Sequence, residues 1–287
     1  KVETSDGIVG WGEADPGGLK FTGDTPQSVM TSIHEGSIDF LKGVELENWV
    51  SAGKGKENDG ALAAACDVAI YDALALKKNV PVWALLGKKQ RDKVDLLWPT
   101  SSGTGSEDLD IIKAFVAKGF KTFMLKMGDR PIVDEIKRVQ EVHAHLPEGV
   151  KVMVDANQGW TRNEANDFFS GTEDIPLILV EQPLPASDLD GLHLLKNKFQ
   201  RLVSVDESLQ TPDSVENILK KDAADVFSIK ISKNGGLRSS HDIGKKVAAQ
   251  GKKILMNSMI ELGITQCASL HLGCVFENLM DCGHAYM

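Results

Sequence analysis

The sequence has no excess of positive charge. Its 287 residues include 32 lysines and arginines against 41 aspartates and glutamates, which gives a formal net charge of −9. Proteins that bind nucleic acid or anionic membranes usually present a basic face, so the composition argues against both kinds of partner. An anionic small molecule is still an acceptable ligand, because a bound metal ion can reverse the charge of a site locally.

Long apolar runs and paired cysteines are also missing. No stretch reaches the roughly 20 apolar residues that cross a membrane, and no signal peptide is visible. The four cysteines form no CxxC pair and lie at Cys66, Cys267, Cys274 and Cys282. Such a pattern favours buried, reduced thiols, so we expect a cytoplasmic protein.

No nucleotide-binding motif accompanies the strand–helix pattern that begins near Val94. Short apolar strands alternate there with amphipathic helices, and Thr161 and Thr211 have the context of helix N-caps. The order indicates parallel strands with right-handed crossovers, and units of about 25 to 30 residues suit a (β/α)8 barrel. A doubly wound open sheet is the alternative, but its nucleotide-binding versions require a GxGxxG or Walker motif. The predicted strands are Thr122–Lys126, Lys151–Asp155, Leu177–Glu181, Leu202–Asp206, Val226–Lys230 and Ile254–Asn257.

The first part of the chain predicts a smaller α+β domain. Asp6-Gly7 suits a hairpin turn between strand-like residues, and Ala61–Lys77 has the composition of a helix. Ala14–Thr25 is a glycine-rich loop, which is either an ordinary surface loop or a flexible lid over a site. We therefore divide the chain into an α+β domain at residues 1–92 and a (β/α)8-type TIM barrel at residues 93–287.

Three successive predicted strands end in an acidic residue, at Asp155, Glu181 and Asp206. In a barrel, neighbouring strand ends converge at the carboxyl face, where active sites lie. Three acids there would repel one another unless a cation bound them, and all-oxygen ligation favours Mg²⁺, one ion per site. Each acid alone would more often be a helix cap or a loop residue, but three in successive units favour a metal site.

Two lysines flank these acids. Lys126 ends the strand before Asp155, and Lys230 ends the strand after Asp206. Strand alternation lets both side chains point into the barrel mouth, on opposite sides of the metal. A single lysine is surface-exposed by default, but two in register with the acids are expected to be functional. Near a metal ion and a second ammonium the pKa of a lysine falls, so that it can act as a base at neutral pH.

This arrangement favours one class of reaction. A metal ion holds a substrate carboxylate, a lysine removes the proton from the adjacent carbon, and the metal stabilises the resulting enediolate. Lysines on both faces permit proton removal on one side and return on the other, which is racemisation or epimerisation. A leaving group on the next carbon would give β-elimination instead.

These residues and their surroundings resemble the enolase superfamily, in particular its muconate-lactonising-enzyme-like branch, the mandelate racemase/muconate lactonising enzyme family. The segment GWGEADP is similar to the family's capping domain, and AACDVAIYDALALKKNVPVWALLG is similar to the helix and linker that lead into its barrel. The segments GFKTFMLKMG, VDANQGW, VEQPLP, VDESL and SIKISKNGGL are similar to its lysine and ligand strands. The similarity spans nearly the whole chain.

The resemblance implies a role for each of these residues. Asp155, Glu181 and Asp206 would bind Mg²⁺, for which Mn²⁺ could substitute. Lys126 and Lys230 would form the acid–base pair. The resemblance also implies a small-molecule carboxylate substrate, a covering role for the glycine-rich loop, a homo-oligomer, and capping and barrel domains that are both incomplete in this chain.

Further residues are assigned through the same resemblance. Asn157 and Glu207 would hold the metal ligands in order. Side chains at the ends of the first and last barrel strands are candidates for substrate contacts: Trp98, Thr100, Ser101 and Asp281. Trp98 could equally belong to the core, and an acid at position 281 would suit a substrate with an ammonium group.

Met124 departs from the family pattern. The family usually carries Lys-x-Lys on the second barrel strand, and Met124 occupies the first of these positions. The missing ammonium would leave open how the substrate carboxylate is neutralised and how far the pKa of Lys126 is lowered. Met124 would then either contact substrate or fill the barrel interior.

Several activities are compatible with these residues. Our first preference is racemisation or epimerisation of an amino-acid derivative. Dehydration of a hydroxy acid, such as a hydroxyproline, ranks second, and cycloisomerisation ranks third. A Schiff-base lyase with Lys126 or Lys230 as nucleophile is an alternative on the same barrel. A non-catalytic metal-binding scaffold is the remaining alternative.

Overall fold

The computed structural model describes residues 1–19, 23–52, 60–101 and 103–283. Its N-terminal part contains one antiparallel hairpin and four helices, with a 3-10 turn at Asp39–Leu41. These elements are β1 (Val2–Glu3), β2 (Val9–Gly10), α1 (Pro26–His34), α2 (Leu46–Ala52), α3 (Gly60–Lys78) and α4 (Trp83–Leu86). The hairpin and helices form the α+β unit that the sequence predicts, whereas the domain boundary at residue 92 stays a prediction.

Among the described residues after α4, eight strands and seven helices alternate. The strands are β3 (Leu97–Pro99), β4 (Thr122–Lys126), β5 (Lys151–Asp155), β6 (Val180–Glu181), β7 (Val203–Val205), β8 (Val226–Ile229), β9 (Lys253–Met256) and β10 (Leu279–Gly283). The helices are α5 (Gly105–Val116), α6 (Ile132–Ala144), α7 (Arg162–Gly171), α8 (Leu189–Phe199), α9 (Pro212–Lys220), α10 (Leu237–Ala249) and α11 (Gly263–Gly273).

The eight strands form one parallel sheet in chain order, from β3 to β10. A parallel bridge between Leu96 and Gly283 joins its two edges. The sheet is therefore a nearly closed barrel, which confirms the (β/α)8 prediction over the doubly wound alternative. The predicted bounds of β4 and β5 are those observed, whereas β6 is shorter than the predicted strand Leu177–Glu181.

Two predicted N-caps begin barrel helices. The Thr161 hydroxyl accepts a hydrogen bond from the Glu164 amide at 3.3 Å, and the Thr211 hydroxyl accepts one from the Ser214 amide at the same distance. Each satisfies a backbone donor that the first helical turn leaves unpaired, a contribution of about 1 kcal/mol. These caps fix where α7 and α9 leave the strand ends.

Strand alternation divides the apolar side chains into two layers. One face of the strands packs against the helices in the large outer core. The other face fills the barrel with an inner cluster, which we define as Leu97, Met124, Met153, Leu179, Val226, Leu255 and Cys282. Its members come from seven of the eight strands or their immediate approaches, so the interior below the barrel mouth is closed by side chains, as is usual for this architecture.

The cysteines only partly match the expectation of buried thiols. All four are free, but only Cys282 is buried, while Cys267 is exposed and Cys66 and Cys274 are half-buried. The prediction of four buried cysteines is therefore wrong, because Cys267 faces outward on α11. Of the helices in the described ranges, none has the combination of length and apolarity that a bilayer crossing requires.

The N-terminal hairpin packs on α3, and the residues that follow it contact the barrel. A Cβ atom on Gly12 would lie 1.8 Å from the Ala65 carbonyl oxygen, so only glycine allows this approach to α3. Beyond the hairpin, Asp15 accepts a hydrogen bond from the Ile260 amide at 2.9 Å, and Glu13 accepts hydrogen bonds from the Leu262 and Thr265 amides. Glu13 thereby caps the start of α11, where a negative charge is favourable. Part of the predicted lid, residues 20–22, lies outside the described residues.

Candidate active site

The register of the barrel strands brings the predicted acids and lysines together. Lys126, the last residue of β4, is paired in register with Asp155 at the end of β5, and Asp155 is paired with Glu181 at the end of β6. Asp206 and Lys230 directly follow β7 and β8. Each of the five lies an even number of residues from an inward-facing position, so all five share the inner face above the inner cluster.

Asp206 receives two ammonium groups. Lys230 Nζ lies 2.6 Å from Asp206 Oδ2, and Lys233 Nζ lies 2.5 Å from Asp206 Oδ1. Lys233 Nζ also donates to the Asp206 carbonyl oxygen. Lys233 was not singled out from the sequence, although it lies in the segment SIKISKNGGL with Lys230. Its side chain turns back because the chain reverses there, with the Asn234 amide bonded to the Lys230 carbonyl oxygen at 2.8 Å.

Asp155 receives the third ammonium group. Lys126 Nζ lies 2.6 Å from Asp155 Oδ2, and the Asn157 amide donates to Asp155 Oδ1 at 2.9 Å. The Lys126 side chain is 30% exposed, compared with 9% for Lys230. Lys126 is therefore the lysine that solvent or a ligand reaches more easily.

Glu181 is fully buried between these pairs and, among the described residues, receives no ammonium group. The Asn257 side-chain amide donates to Glu181 Oε1 at 3.0 Å, and the Ser228 hydroxyl lies 3.4 Å from the same oxygen. Glu181 Oε2 is buried and makes no hydrogen bond with any residue in the described part of the chain. Asn257 ends the predicted strand Ile254–Asn257 and directly follows β9, but no sequence pattern indicates that its side chain reaches Glu181.

Burial and charge shift the pKa values of the site in opposite directions. Burial, together with the negative charges of Asp155 and Asp206, raises the pKa of Glu181 well above its ordinary value. Burial also acts to raise the pKa of Asp206, but Lys230 and Lys233 outweigh it and lower this pKa. The charges of the site thus favour protonated lysines beside an ionised Asp206.

The pKa values of Lys126 and Lys230 move up rather than down, whereas burial lowers the pKa of Lys233. Burial acts to lower the pKa of Lys126 and of Lys230, but the contacts with Asp155 and Asp206 outweigh it and raise both. The predicted fall in pKa assumes a bound metal ion, a second ammonium group and low-dielectric walls. In the observed geometry the ammonium groups of Lys126 and Lys230 each lie on a carboxylate, and that attraction dominates at these two lysines.

Asn157 lies between Asp155 and Glu207 and forms a hydrogen bond with each, while the role that the resemblance implies for Asn157 and Glu207 stays a prediction. The Asn157 side-chain amide donates to Glu207 Oε1 at 3.3 Å. Asn157 adopts a left-handed backbone conformation with φ of 43°, which asparagine tolerates better than most residues. Burial raises the pKa of Glu207 to about 7. The pair links the end of β5 to the segment after β7.

Trp98 and Met124 do not line the mouth, in contrast to their assignment as substrate contacts. The Trp98 ring stacks on Phe115 of α5 with a centroid distance of 3.7 Å, on the helix side of the sheet. Alternation explains this position, because its neighbour Leu97 faces the inner cluster. Met124 is fully buried within the inner cluster, so it fills the barrel interior.

The other proposed substrate contacts are at the rim of the barrel. Thr100 is buried, and its amide donates to the Met124 carbonyl oxygen at 2.8 Å. Ser101 is exposed, and its carbonyl oxygen accepts a hydrogen bond from the buried Arg138 at 2.7 Å. Asp281 is exposed on β10, between two residues whose side chains contact the inner cluster, so its own side chain faces the other side of the strand. Their roles toward a substrate stay predictions.

The residue types and charges of the site fit a divalent cation. Asp155, Glu181 and Asp206 supply carboxylate oxygens, which Mg²⁺ prefers. Glu181 combines a buried oxygen that has no partner among the described residues with a pKa raised by burial and by two neighbouring carboxylates, and a cation would relieve both. Within the described ranges, no three Asp, Glu, His or Cys side chains converge closely enough to form a finished ligand set. Two of the carboxylates are instead turned toward lysines.

Comparison with known proteins gives matches over both parts of the chain. Residues 1–87 match the mandelate racemase/muconate lactonizing enzyme N-terminal domain, and residues 109–286 match the enolase C-terminal domain-like family. The chain is 32% identical over 286 residues to muconate cycloisomerase 1 of Acinetobacter baylyi, covering 97% of this chain and 77% of that protein.

Solved structures give the same result. A substrate-liganded complex of the L-Ala-D/L-Glu epimerase from Bacillus subtilis has a TM-score of 0.92 and 30% identity, covering 98% of this chain and 79% of that one. A dipeptide epimerase from Enterococcus faecalis, complexed with Mg and the dipeptide L-Leu-L-Tyr, has a TM-score of 0.91 and 28% identity. That match covers 98% of this chain and 80% of the epimerase chain.

Proposed function

The chain belongs to the mandelate racemase/muconate lactonizing enzyme family of the enolase superfamily, and from that premise we propose that it racemises or epimerises an amino-acid derivative by moving the proton α to a carboxylate. The observation that carries this proposal is the pair of lysines at the two ends of the carboxylate row. Lys126 contacts Asp155 and Lys230 contacts Asp206, each at 2.6 Å.

The carboxylates are proposed as the metal site. Asp155, Glu181 and Asp206 would hold one divalent ion, Mg²⁺ by preference, which when bound supplies positive charge against the substrate carboxylate as its α-carbon loses a proton. Asn157 and Glu207 would keep the metal site in order, because Asn157 donates hydrogen bonds to Asp155 and to Glu207. The Mg-complexed dipeptide epimerase from Enterococcus faecalis supports this choice of ion.

The lysines would divide the proton transfer between the two faces of the substrate. A lysine can accept the α-proton at Nζ only after it has lost its own proton, so its contact with a carboxylate must be weakened first. Lys126, which is more exposed, would serve one face, and Lys230 the other. A proton removed by one lysine and replaced by the other inverts the carbon, whereas return by the same lysine causes exchange without inversion.

Cycloisomerisation is the second candidate. It is favoured by the 32% identity to the muconate cycloisomerase of Acinetobacter baylyi. It would use the same lysines on a different substrate. Dehydration of a hydroxy acid would follow from the same proton abstraction if a leaving group lay on the next carbon. Only the substrate distinguishes these outcomes.

Hydrogen exchange in D2O tests the proposal. The protein is incubated with Mg²⁺ and with amino acids, N-acyl amino acids, dipeptides, hydroxyprolines and muconate, and α-deuterium incorporation is followed by mass spectrometry. We expect exchange with inversion for at least one amino-acid derivative. Lys126→Ala and Lys230→Ala should remove it, while Lys121→Ala, an exposed lysine before β4, should not. Formation of a lactone from muconate, with one solvent deuterium taken up at the α-carbon as the ring closes, and no exchange of any amino-acid derivative would support the second candidate instead.

A Schiff-base mechanism makes an opposite prediction. It would leave activity resistant to EDTA and would allow borohydride to trap the substrate covalently on a lysine. EDTA-sensitive exchange without such a covalent product would therefore separate proton transfer from the lyase alternative.

A further inference from the structure

Helix α6 carries a buried arginine that contacts the backbone of Lys126. Arg138 is only 3% exposed, and its Nη1 atom donates a hydrogen bond to the Lys126 carbonyl oxygen at 2.7 Å. Its Nη2 atom donates to the Ser101 carbonyl oxygen, also at 2.7 Å. One guanidinium therefore joins the end of β4, where Lys126 lies, to the segment that follows β3.

A buried carboxylate fixes the orientation of this guanidinium. Asp108 of α5 is fully buried, and its two oxygens accept hydrogen bonds from Arg138 Nε at 2.6 Å and from Arg138 Nη2 at 2.9 Å. This two-pronged contact holds the plane of the guanidinium, so that its remaining donors face the two backbone carbonyl oxygens. A lysine could not reproduce the arrangement, because a single ammonium group has no planar fork.

A second buried residue of α6 holds the loop that follows β4. Glu135 is 1% exposed and lies three residues before Arg138, on the same face of the helix. Its Oε1 atom accepts a hydrogen bond from the Gly128 amide at 2.7 Å. Its Oε2 atom accepts one at 2.6 Å from the Trp160 indole, which belongs to the loop after β5. Glu135 therefore couples the end of β4 to the end of β5.

The two loops are also closely packed against each other. Gly128 has a φ of 98°, and a Cβ atom there would lie 2.2 Å from the Ala156 carbonyl oxygen. A Cβ atom on Gly159 would lie 2.4 Å from the Cα atom of Gly128. Any side chain at either glycine would force the loops apart. The backbone that bears the contact between Lys126 and Asp155 is thus enclosed by these loops and by α6.

Stability alone does not account for a buried charge at position 138. Replacing a buried ion pair by well-packed apolar residues is often neutral or stabilising, so such a pair is weak evidence for a contribution to stability. The placement of a reacting group, in contrast, is sensitive to its backbone, because a displacement of about 1 Å can slow a reaction about 100-fold. Lys126 depends on its backbone more than Lys230 does, because its side chain is 30% exposed, compared with 9%.

We propose that Arg138 is a positioning residue for Lys126, and that Glu135 supports the loop that follows. By holding the Lys126 carbonyl oxygen, Arg138 fixes the point from which the lysine side chain extends into the barrel mouth. This inference rests on the proposed function and deepens it, because it assigns a support to one of the two proton-transferring lysines. Loss of Arg138 should therefore impair proton transfer on one face of the substrate.

The two lysines differ in this support, which supplies the test. The Lys230 carbonyl oxygen accepts a hydrogen bond from the Asn234 amide at 2.8 Å, within its own loop. Arg138→Lys keeps a positive charge beside Asp108 but loses the planar fork. Initial rates of α-deuterium exchange are measured for each configuration of a substrate that the wild-type protein exchanges. The configuration that depends on Lys126 is the one whose exchange Lys126→Ala suppresses more.

The readout is the ratio of the kcat values for the two configurations. Arg138→Lys should lower kcat for the Lys126-dependent configuration by about 10- to 100-fold, as expected for a displaced reacting group. The kcat for the other configuration should change little. A purely structural defect would not move the ratio, because loss of folded protein lowers both rates in proportion. Equal reduction of both rates would therefore overturn the inference.

The matched control is Arg201→Lys. Arg201 is a half-buried arginine that also donates to backbone carbonyl oxygens, those of Thr172 at 2.7 Å and Ile175 at 3.0 Å. It precedes β7 and therefore lies at the amino end of the barrel, away from the two lysines. This variant should leave the ratio unchanged, whatever its effect on stability. A shift as large as that of Arg138→Lys would overturn the positioning role.

The two proposals can fail separately. If Arg138→Lys does not fold, the double variant Arg138→Met/Asp108→Asn removes the ion pair without leaving a buried charge, and the same ratio decides the matter. Wild-type exchange with an unshifted ratio in the variant overturns the positioning role and leaves α-proton transfer intact. Absence of exchange with every substrate overturns both proposals.

Discussion

Replacing Lys233 by methionine should strongly destabilise the protein. The Lys233 side chain is 2% exposed, and its ammonium donates to both the carbonyl oxygen and the Oδ1 atom of Asp206. Methionine fills a similar volume without charge. The substitution leaves a buried carboxylate oxygen and a backbone carbonyl without these donors, so the unfavourable desolvation of Asp206 is no longer balanced on that side.

The size of the effect follows from this geometry. Removing one partner from a buried ion pair typically costs about 3–5 kcal/mol of unfolding free energy. Lys230 still lies 2.6 Å from Asp206 Oδ2 and retains part of the attraction. We therefore expect a loss of about 3 kcal/mol for Lys233→Met, at the lower end of that range.

Urea denaturation followed by circular dichroism measures this loss as a lower midpoint at unchanged slope. The matched control is Lys221→Met, because Lys221 forms an ion pair with Asp190 in which the side chains are 46% and 69% exposed. Exposed pairs contribute about 0–1 kcal/mol, so the control should barely move. A loss for Lys233→Met no larger than that of Lys221→Met would refute the reasoning that Asp206 depends on two buried ammonium groups.

Three further results are expected. Lys126→Ala and Lys230→Ala should each suppress α-deuterium exchange for one configuration of the substrate more than for the other. Separate assays of the two enantiomers or epimers would measure this difference. Equal suppression would contradict the proposal that the two lysines act on opposite faces of the substrate. Trp98→Ala should lower the unfolding free energy by about 3–5 kcal/mol through lost packing on Phe115, while a KM raised with little loss of stability would restore Trp98 as a substrate contact. Burial lowers the pKa of His241 below its ordinary value of 6.5. As the pH falls, the unfolded chain therefore binds a proton at this histidine before the folded protein does. The free energy of unfolding should consequently decrease as the pH drops below about 6.5. His241→Gln should flatten that part of the pH–stability curve measured by urea denaturation, and an unchanged slope would argue against a role for His241.

The barrel and its central residues could be predicted because they depend on local rules. Acids and lysines at strand ends share an edge in any parallel barrel, and alternation fixes their common face. Asp155, Glu181, Asp206, Lys126 and Lys230 therefore lie together as the sequence predicts. None of these deductions required knowledge of a contact between distant segments.

The remaining features depend on such contacts. Alternation shows that Leu97 and Trp98 face opposite ways, but only the packing of α5 decides which of them faces inward. Lys233 reaches Asp206 because the chain reverses after β8, and a lysine in a loop gives no indication of that turn. Glu261 looks like an ordinary surface acid in the sequence, and its burial arises only from the assembled loops.

The hydrogen bonds that Glu13 and Asp15 accept from the loop after β9 have a consequence for how this enzyme could diversify. The loop that bears Glu261 is held at Ile260 and Leu262 by the N-terminal part of the chain. A change in that loop therefore alters both the surroundings of Glu261 and the contact with the N-terminal part of the chain. A chimera that exchanged residues 1–92 for those of a relative would preserve the lysines and carboxylates, yet it would shift the geometry around Glu261 unless acids at positions 13 and 15 were kept.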